Sequence, residues 1–145
     1  MKSLKSLKSL KSWRPLAATA LVAPAMIATC AWAEEATGVW IDHTGRGAVE
    51  ITSCNGRLCG EVVWLMDPKN SKACGIQILG NVPAKGPGVW DGGWIYDPEE
   101  KSKYDVEIRT VGADKLKILG YAGVKLFGQT MYWTRAPANL PRCKA

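Results

Sequence analysis

Gly38-Val39-Trp40-Ile41-Asp42 is the stretch on which the reading of this chain turns. A glycine opens it, a tryptophan sits at its centre, and the residues alternate as they do on a half-buried strand. Trp133-Thr134-Arg135, near the other end, answers it. As first and last strands of one sheet, these two segments would hydrogen-bond to each other, closing a barrel and removing its edges. Trp40 then plugs one end, with the Arg135 guanidinium over its indole. A partly desolvated cation–π contact of that kind is worth roughly 1–2 kcal/mol.

The residues between these segments read as short strands with regular turn signals. Ala48 to Cys54 and Leu58 to Met66 are joined through Asn55-Gly56, a strong hairpin signal. A two-residue turn would set Glu50 opposite Glu61, a repulsive pair. A wider loop, Asn55-Gly56-Arg57-Leu58, pairs Cys54 with Cys59, Ile51 with Val62 and Val49 with Trp64, and is the expected register. Directly opposed residues lie within disulfide reach, so Cys54–Cys59 is expected, which by elimination leaves Cys74–Cys143. Residues 67–88 hold three prolines and break the rhythm. They read as one long irregular loop, serving equally well as a cap that completes the core or as a lid. Strands resume at Trp90 to Tyr96, Tyr104 to Thr110, Leu116 to Gly120 and Gln129 to Arg135. No segment after the leader carries a helical period. The expected fold is all-β, a small antiparallel up-and-down barrel with one long irregular loop.

The front of the chain changes the bulk numbers. Three Lys-Ser-Leu repeats, a mostly apolar run from Pro15 to Trp32 and Ala31-Trp32-Ala33 before Glu34-Glu35 make a secretory signal peptide over residues 1–33. A lipid anchor on Cys30 fits less well, because Thr29 stands where a smaller residue is expected. Cleavage leaves residues 34–145 as one domain. The leader takes five of the 19 basic residues with it, so 14 remain against 13 acidic ones and the charge of +6 falls to +1. Nucleic-acid binding loses its support with that charge, and no stable membrane span is expected after cleavage. The remaining Cys54, Cys59, Cys74 and Cys143 fit two disulfides in an oxidising compartment, hence a periplasmic or secreted protein.

The ordered motifs are more specific than composition. Ser53-Cys54-Asn55-Gly56-Arg57-Leu58-Cys59-Gly60, Val63-Trp64-Leu65, Gly92-Gly93-Trp94-Ile95-Tyr96-Asp97-Pro98, Tyr104, Leu119-Gly120-Tyr121, Phe127-Gly128 and Trp133-Thr134-Arg135 follow one another across residues 37–135. The set resembles the bacterial domain-of-unknown-function family 2147. That resemblance implies export and a lipocalin-like barrel, and it brings no established activity. The family usually has a glycine where this chain has Lys101, so the hairpin after Asp97-Pro98 is a candidate for remodelling.

Nothing in the sequence nominates a reaction. His43 is the only histidine and lacks a second imidazole to share a metal or heme. The cysteines lack zinc or redox spacing, and Asp67, Asp91, Asp97, Glu99 and Glu100 lack a calcium-loop pattern. No cofactor is expected. Aromatic side chains carry the functional expectation instead. Trp64, Trp90, Trp94, Tyr96, Ile108 and Met131 are the candidate lining of a ligand site, with Trp40 and Arg135 as structural closure. The leading expectation is non-catalytic binding of a small apolar or amphipathic ligand, gated by residues 67–88. The alternative is a barrel filled by its own side chains and acting through protein contacts in the envelope. At 112 residues the barrel is lean, and any cavity is expected to be small.

Overall fold

The structure is a computed structural model and describes residues 35–143. The leader at residues 1–33, with Cys30, lies outside the described residues.

Nine strands form one antiparallel sheet: β1 (Gly38–Ile41), β2 (Gly47–Cys54), β3 (Arg57–Leu65), β4 (Gln77–Val82), β5 (Ala84–Gly86), β6 (Val89–Asp97), β7 (Ser102–Thr110), β8 (Lys115–Tyr121) and β9 (Gln129–Arg135). The order runs β4-β3-β2-β1-β9-β8-β7-β6-β5, and β4 also pairs with β6, which closes the sheet. Pro83, which has no N–H to donate, separates β4 from β5, and both pair with β6. They act as one bent stave, so the barrel has eight. First and last strands meet as the sequence predicts: Trp40 pairs with Arg135 and Ile41 with Thr134. The Arg135 guanidinium lies 4.1 Å from the centre of the Trp40 indole. It also donates to the carbonyls of Thr37, Glu35 and Ala113, and the Trp40 indole N–H donates to Ala36 at 2.9 Å.

The seam between β4 and β6 depends on two glycines. A Cβ on Gly80 would run into the Trp94 indole, and one on Gly93 into the Gly80 carbonyl and to 2.7 Å from the Val82 Cα. Only bare backbone fits at Gly80 and Gly93, while Gly92, at the bulge between Asp91 and Gly93, is needed for its positive φ of 103°.

Three expectations are corrected. The first hairpin uses the two-residue turn, with Asn55 and Gly56 both at positive φ (52° and 75°), as a type I′ turn requires. Cys54 therefore faces Arg57, Thr52 faces Cys59, and Glu50 faces Glu61 after all. The C-terminal tail makes this tolerable: the Arg142 guanidinium grips Glu50 through two bonds of 2.6 and 2.7 Å. That grip holds the Glu50 carboxyl below its ordinary range, with Glu61 adding its attraction to the Arg142 charge. The disulfide survives the change of register because diagonal residues on one face are also close; Cys54–Cys59 spans 5.9 Å between Cα atoms. Second, the irregular stretch is shorter than residues 67–88. Pro68–Ala73 forms a 3₁₀ turn capped by the Asp67 carboxylate, and Gln77–Val82 is a barrel stave. Third, the left-handed turn position in the hairpin after Asp97 is not missing: Lys101 itself adopts it (φ 52°).

Cys74–Cys143 is the other disulfide. It ties the β3–β4 connection to the tail, whose Cys143 N–H also donates to Val63 at 2.8 Å.

Candidate functional site

Inward side chains divide the barrel along its axis. At the end where Trp40 sits, Trp40, Trp90, Ile51, Leu58, Val82, Ile108 and Leu116 are fully buried and packed together. Toward the other end the interior opens into a cavity of about 1150 Å3. Four connections surround its mouth: residues 42–46, 66–76, 98–101 and 122–128. The expectation of a small cavity is therefore wrong. The bulky residues meant to fill the barrel are stacked at one end instead of spread along it.

Val49, Val62, Ile78, Ile95, Met131 and Trp133 form the inner lining. All six sit on strands, at positions that the alternating pattern turns inward. The charged lining residues, Asp42, Arg46, Asp67, Lys69, Lys72, Asp97, Glu99 and Glu100, are confined to the mouth, as is His43. An apolar interior with a polar rim suits a molecule with a hydrocarbon body. Trp133 is 3% exposed, and its indole N–H has no hydrogen-bond partner among the described residues. A buried donor left unpaired costs about 1–3 kcal/mol.

Mouth carboxylates largely serve the local backbone. Asp42 accepts from the Thr44 N–H and hydroxyl, and Asp97 from the N–H groups of Glu99 and Glu100. Glu100 accepts from the Tyr104 hydroxyl, which raises the Tyr104 pKa. Among the described residues no group of three His, Cys, Asp or Glu could hold a metal ion.

The six aromatic and apolar residues singled out from sequence do not form one site. Tyr96 and Met131 border the cavity. Trp90 and Ile108 belong to the packed end. Trp64 lies outside, in a groove of about 390 Å3 between the β3–β4 connection and the tail at Pro141, Arg142 and Cys143. Trp94 covers Gly80, with the Lys103 ammonium 3.7 Å above its ring. The bulge at Gly92-Gly93 shifts the side chains of β6 relative to a regular strand. Trp133 belongs to the buried core and also forms cavity wall. Ile78 was hidden in the segment read as irregular.

One more constellation anchors the mouth from outside. Glu107 is 7% exposed yet faces away from the cavity, paired with Arg109 and Lys125. Lys125 also meets Asp91, which accepts from Tyr121 at 2.7 Å. Arg109 and Lys125 hold the Glu107 carboxyl below its usual range despite burial. Burial pulls Asp91 upward, but bonds from Lys125 and Tyr121 outweigh it and the net shift is down. The Tyr121 hydroxyl, bonded to Asp91, is pushed up to about 12. These contacts pin the β8–β9 connection, where Leu126 and Phe127 are exposed.

Comparisons with known proteins agree with this architecture. Protein HP1028 from Helicobacter pylori, described as belonging to the lipocalin family, has a similar structure (TM-score 0.59). The likeness covers 70% of this chain and 83% of that one at 17% identity, and so speaks to fold alone. No curated protein matches the chain. The model of a family described as "uncharacterized protein conserved in bacteria" matches residues 38–135, and the chain belongs to that family, DUF2147.

Proposed function

We propose that this protein is a non-catalytic carrier that binds a small apolar or amphipathic molecule inside its barrel. The observation that carries the reading is the cavity of about 1150 Å3 with an apolar interior and every charge at its mouth. Its volume slightly exceeds the usual range for small-molecule sites, roughly 300–1,000 Å3, and part of it is open mouth. A long-chain or polycyclic ligand would enter between residues 67–76 and 122–128. The first of these segments is tethered by Cys74–Cys143 and takes the gating role once given to residues 67–88. The two disulfides support an oxidising compartment. With the leader at residues 1–33 they support export to the periplasm or beyond.

Titration with N-phenyl-1-naphthylamine, whose fluorescence rises in apolar surroundings, tests the carrier reading. Binding at micromolar concentration is expected, with release by long-chain competitors. Native mass spectrometry of protein taken from its own envelope should reveal a co-purifying ligand. No fluorescence change and no bound mass would refute the reading. Export is tested separately by N-terminal sequencing of that protein, which should begin at Glu34. The filled-barrel alternative does not suit a cavity of this size. Its protein-contact half keeps one supporting observation, the exposed Leu126 and Phe127 at the mouth.

A further inference from the structure

We propose that the mouth of the barrel docks on the surface of a neutral phospholipid bilayer, with Leu126 and Phe127 inserted where head groups meet acyl chains. The docking surface follows from the geometry of the mouth; only its consequence for ligand transfer rests on the carrier reading. Single exposed apolar side chains are ordinary on protein surfaces. The β8–β9 connection carries three within four residues. Val124 is exposed, and Leu126 and Phe127 are 83% and 86% exposed, more than any other large hydrophobic side chain among the described residues. Phe127 is the only phenylalanine of the chain. It borders the cavity mouth, as does Met66, also exposed, at the start of the β3–β4 connection.

The connection holds these side chains out. At its start the Gly123 N–H donates to the Asp105 carboxylate at 3.2 Å, and at its end the Gly128 N–H closes the 3₁₀ turn on the Lys125 carbonyl at 3.0 Å. Gly128 lies so close to β8 that a Cβ there would come within 2.7 Å of Leu119 and 2.8 Å of the Gly120 carbonyl. Between these anchors the Lys125 ammonium is bound by Asp91 of β6 and Glu107 of β7. That ion cluster answers the one charge on the tip and leaves three apolar side chains facing solvent. Elsewhere at the mouth Arg46, Lys69, Lys72 and Lys101 stand against Asp42, Asp67, Asp97, Glu99 and Glu100, so a surface of either sign gains little from approaching it. What remains is transfer of the tip from water to an apolar phase. Size argues against a protein partner. A stable protein interface uses roughly 20–30 residues a side, and Val124, Leu126, Phe127 and Met66 supply a small part of that. A bilayer needs no matching shape. Docked in this way the cavity opens toward lipid, and on the carrier reading an apolar ligand passes between bilayer and barrel without crossing water.

Co-sedimentation with phosphatidylcholine vesicles tests the proposal on the native protein and on a tip variant, Leu126→Ser with Phe127→Ser. The control is Val111→Ser, an exposed apolar residue after β7 at the opposite end of the barrel. The native protein and the control should bind alike. Each serine at the tip should lower the partition coefficient roughly tenfold, the worth of withdrawing one large apolar side chain from lipid. Binding should be the same at high salt and on adding phosphatidylglycerol. No binding by the native protein, or equal binding by the tip variant, overturns the proposal. So does binding confined to anionic vesicles and reversed by salt, which would place the contact at the mouth cations. Sedimentation velocity covers a second copy as occupant: self-association abolished by the tip serines, with no vesicle binding, refutes docking on lipid. Both tip side chains project into solvent, so the variant should keep the native urea midpoint; the lipid-charge and salt comparisons on the native protein decide in any case. Reporter titration without vesicles decides the carrier reading by itself, so the two readings fail separately.

Discussion

Replacing Gly93 by alanine should open the barrel, because the added methyl meets backbone and not a side chain that can turn away. Its Cβ would collide with the Gly80 carbonyl and lie 2.7 Å from the Val82 Cα. The seam there has two registered pairs, Leu79 with Ile95 and Gly80 with Trp94, so any separation of β4 from β6 weakens both. Overpacking of this kind costs about 1–3 kcal/mol, and each ladder bond lost adds about 1 kcal/mol. Against that, alanine lowers the entropy of the unfolded chain and returns about 0.4–1 kcal/mol. The net loss is on the order of 2–3 kcal/mol, a fall in Tm of roughly 10 °C for a domain of this size. Gly120→Ala is the control. It also lies on a stave and borders the cavity, but its Cβ would meet only Ile95 Cγ2, at an ordinary 3.6 Å. Urea unfolding followed by tryptophan fluorescence should separate the two variants clearly. Gly93→Ala should also weaken reporter binding, since the same seam is cavity wall. Equal midpoints for the two variants would refute the claim that backbone contact at Gly80 and Gly93 closes the barrel.

Arg135→Lys keeps a charge but loses the planar cover on Trp40 and the fork of bonds to three carbonyls, so urea unfolding should show a loss of about 1–2 kcal/mol. The disulfides should rank by loop length: Cys74→Ser with Cys143→Ser should cost about 4 kcal/mol, and Cys54→Ser with Cys59→Ser about 2, measured as paired unfolding curves. Asp91 and Glu107 have lowered folded pKa values. Their contribution is therefore complete above the unfolded carboxylate range near 4 and is lost as pH falls through it. The raised Tyr121 pKa, about 12, works oppositely: its contribution is full below pH ~10 and is lost as pH rises toward 12. Urea midpoints should be flat between these limits and fall outside them, with Lys125→Met flattening the acid side. Arg142→Ala should release Glu50 to a higher pKa in a carboxylate NMR titration, and adding Glu61→Gln should lower it again by removing the facing charge.

How much of this was legible follows from the range of the forces involved. Barrel closure could be read because it is written in local pattern: alternation in each strand, a glycine turn between strands, and Trp40 with Arg135 at the two ends. The hairpin register could not, because a repulsion read from neighbours was neutralised from far along the chain. Glu50 and Glu61 are opposed, and the charge that offsets them, Arg142, lies 92 residues away from Glu50. The cavity was missed for a related reason. Residue counts set the total bulk inside a barrel, but not how that bulk is divided along its axis. β4 was lost among prolines and glycines that mark a bent seam as readily as a loop. Trp64 and Trp94 were misplaced because bulges in β3 and β6 break the alternation used to point them inward.

That division along the axis gives the fold its functional logic. One end carries Trp40, Trp90, Ile108 and Leu116 in contact with one another, sealed by Arg135, and it supplies a core that needs no ligand. The other end can then remain open, lined by strand residues whose positions the packed end fixes. A barrel filled evenly would be more stable and would hold nothing. Concentrating the bulk frees the mouth connections to vary, and the disulfide at Cys74 and the ion cluster at Lys125 restrain them without closing them. Removing either restraint should therefore change the rate at which a ligand enters and leaves more than its equilibrium affinity. Stopped-flow displacement of the fluorescent reporter measures that distinction. An affinity loss at unchanged rates of entry in Lys125→Met would show that the cluster shapes the pocket itself and not its entrance.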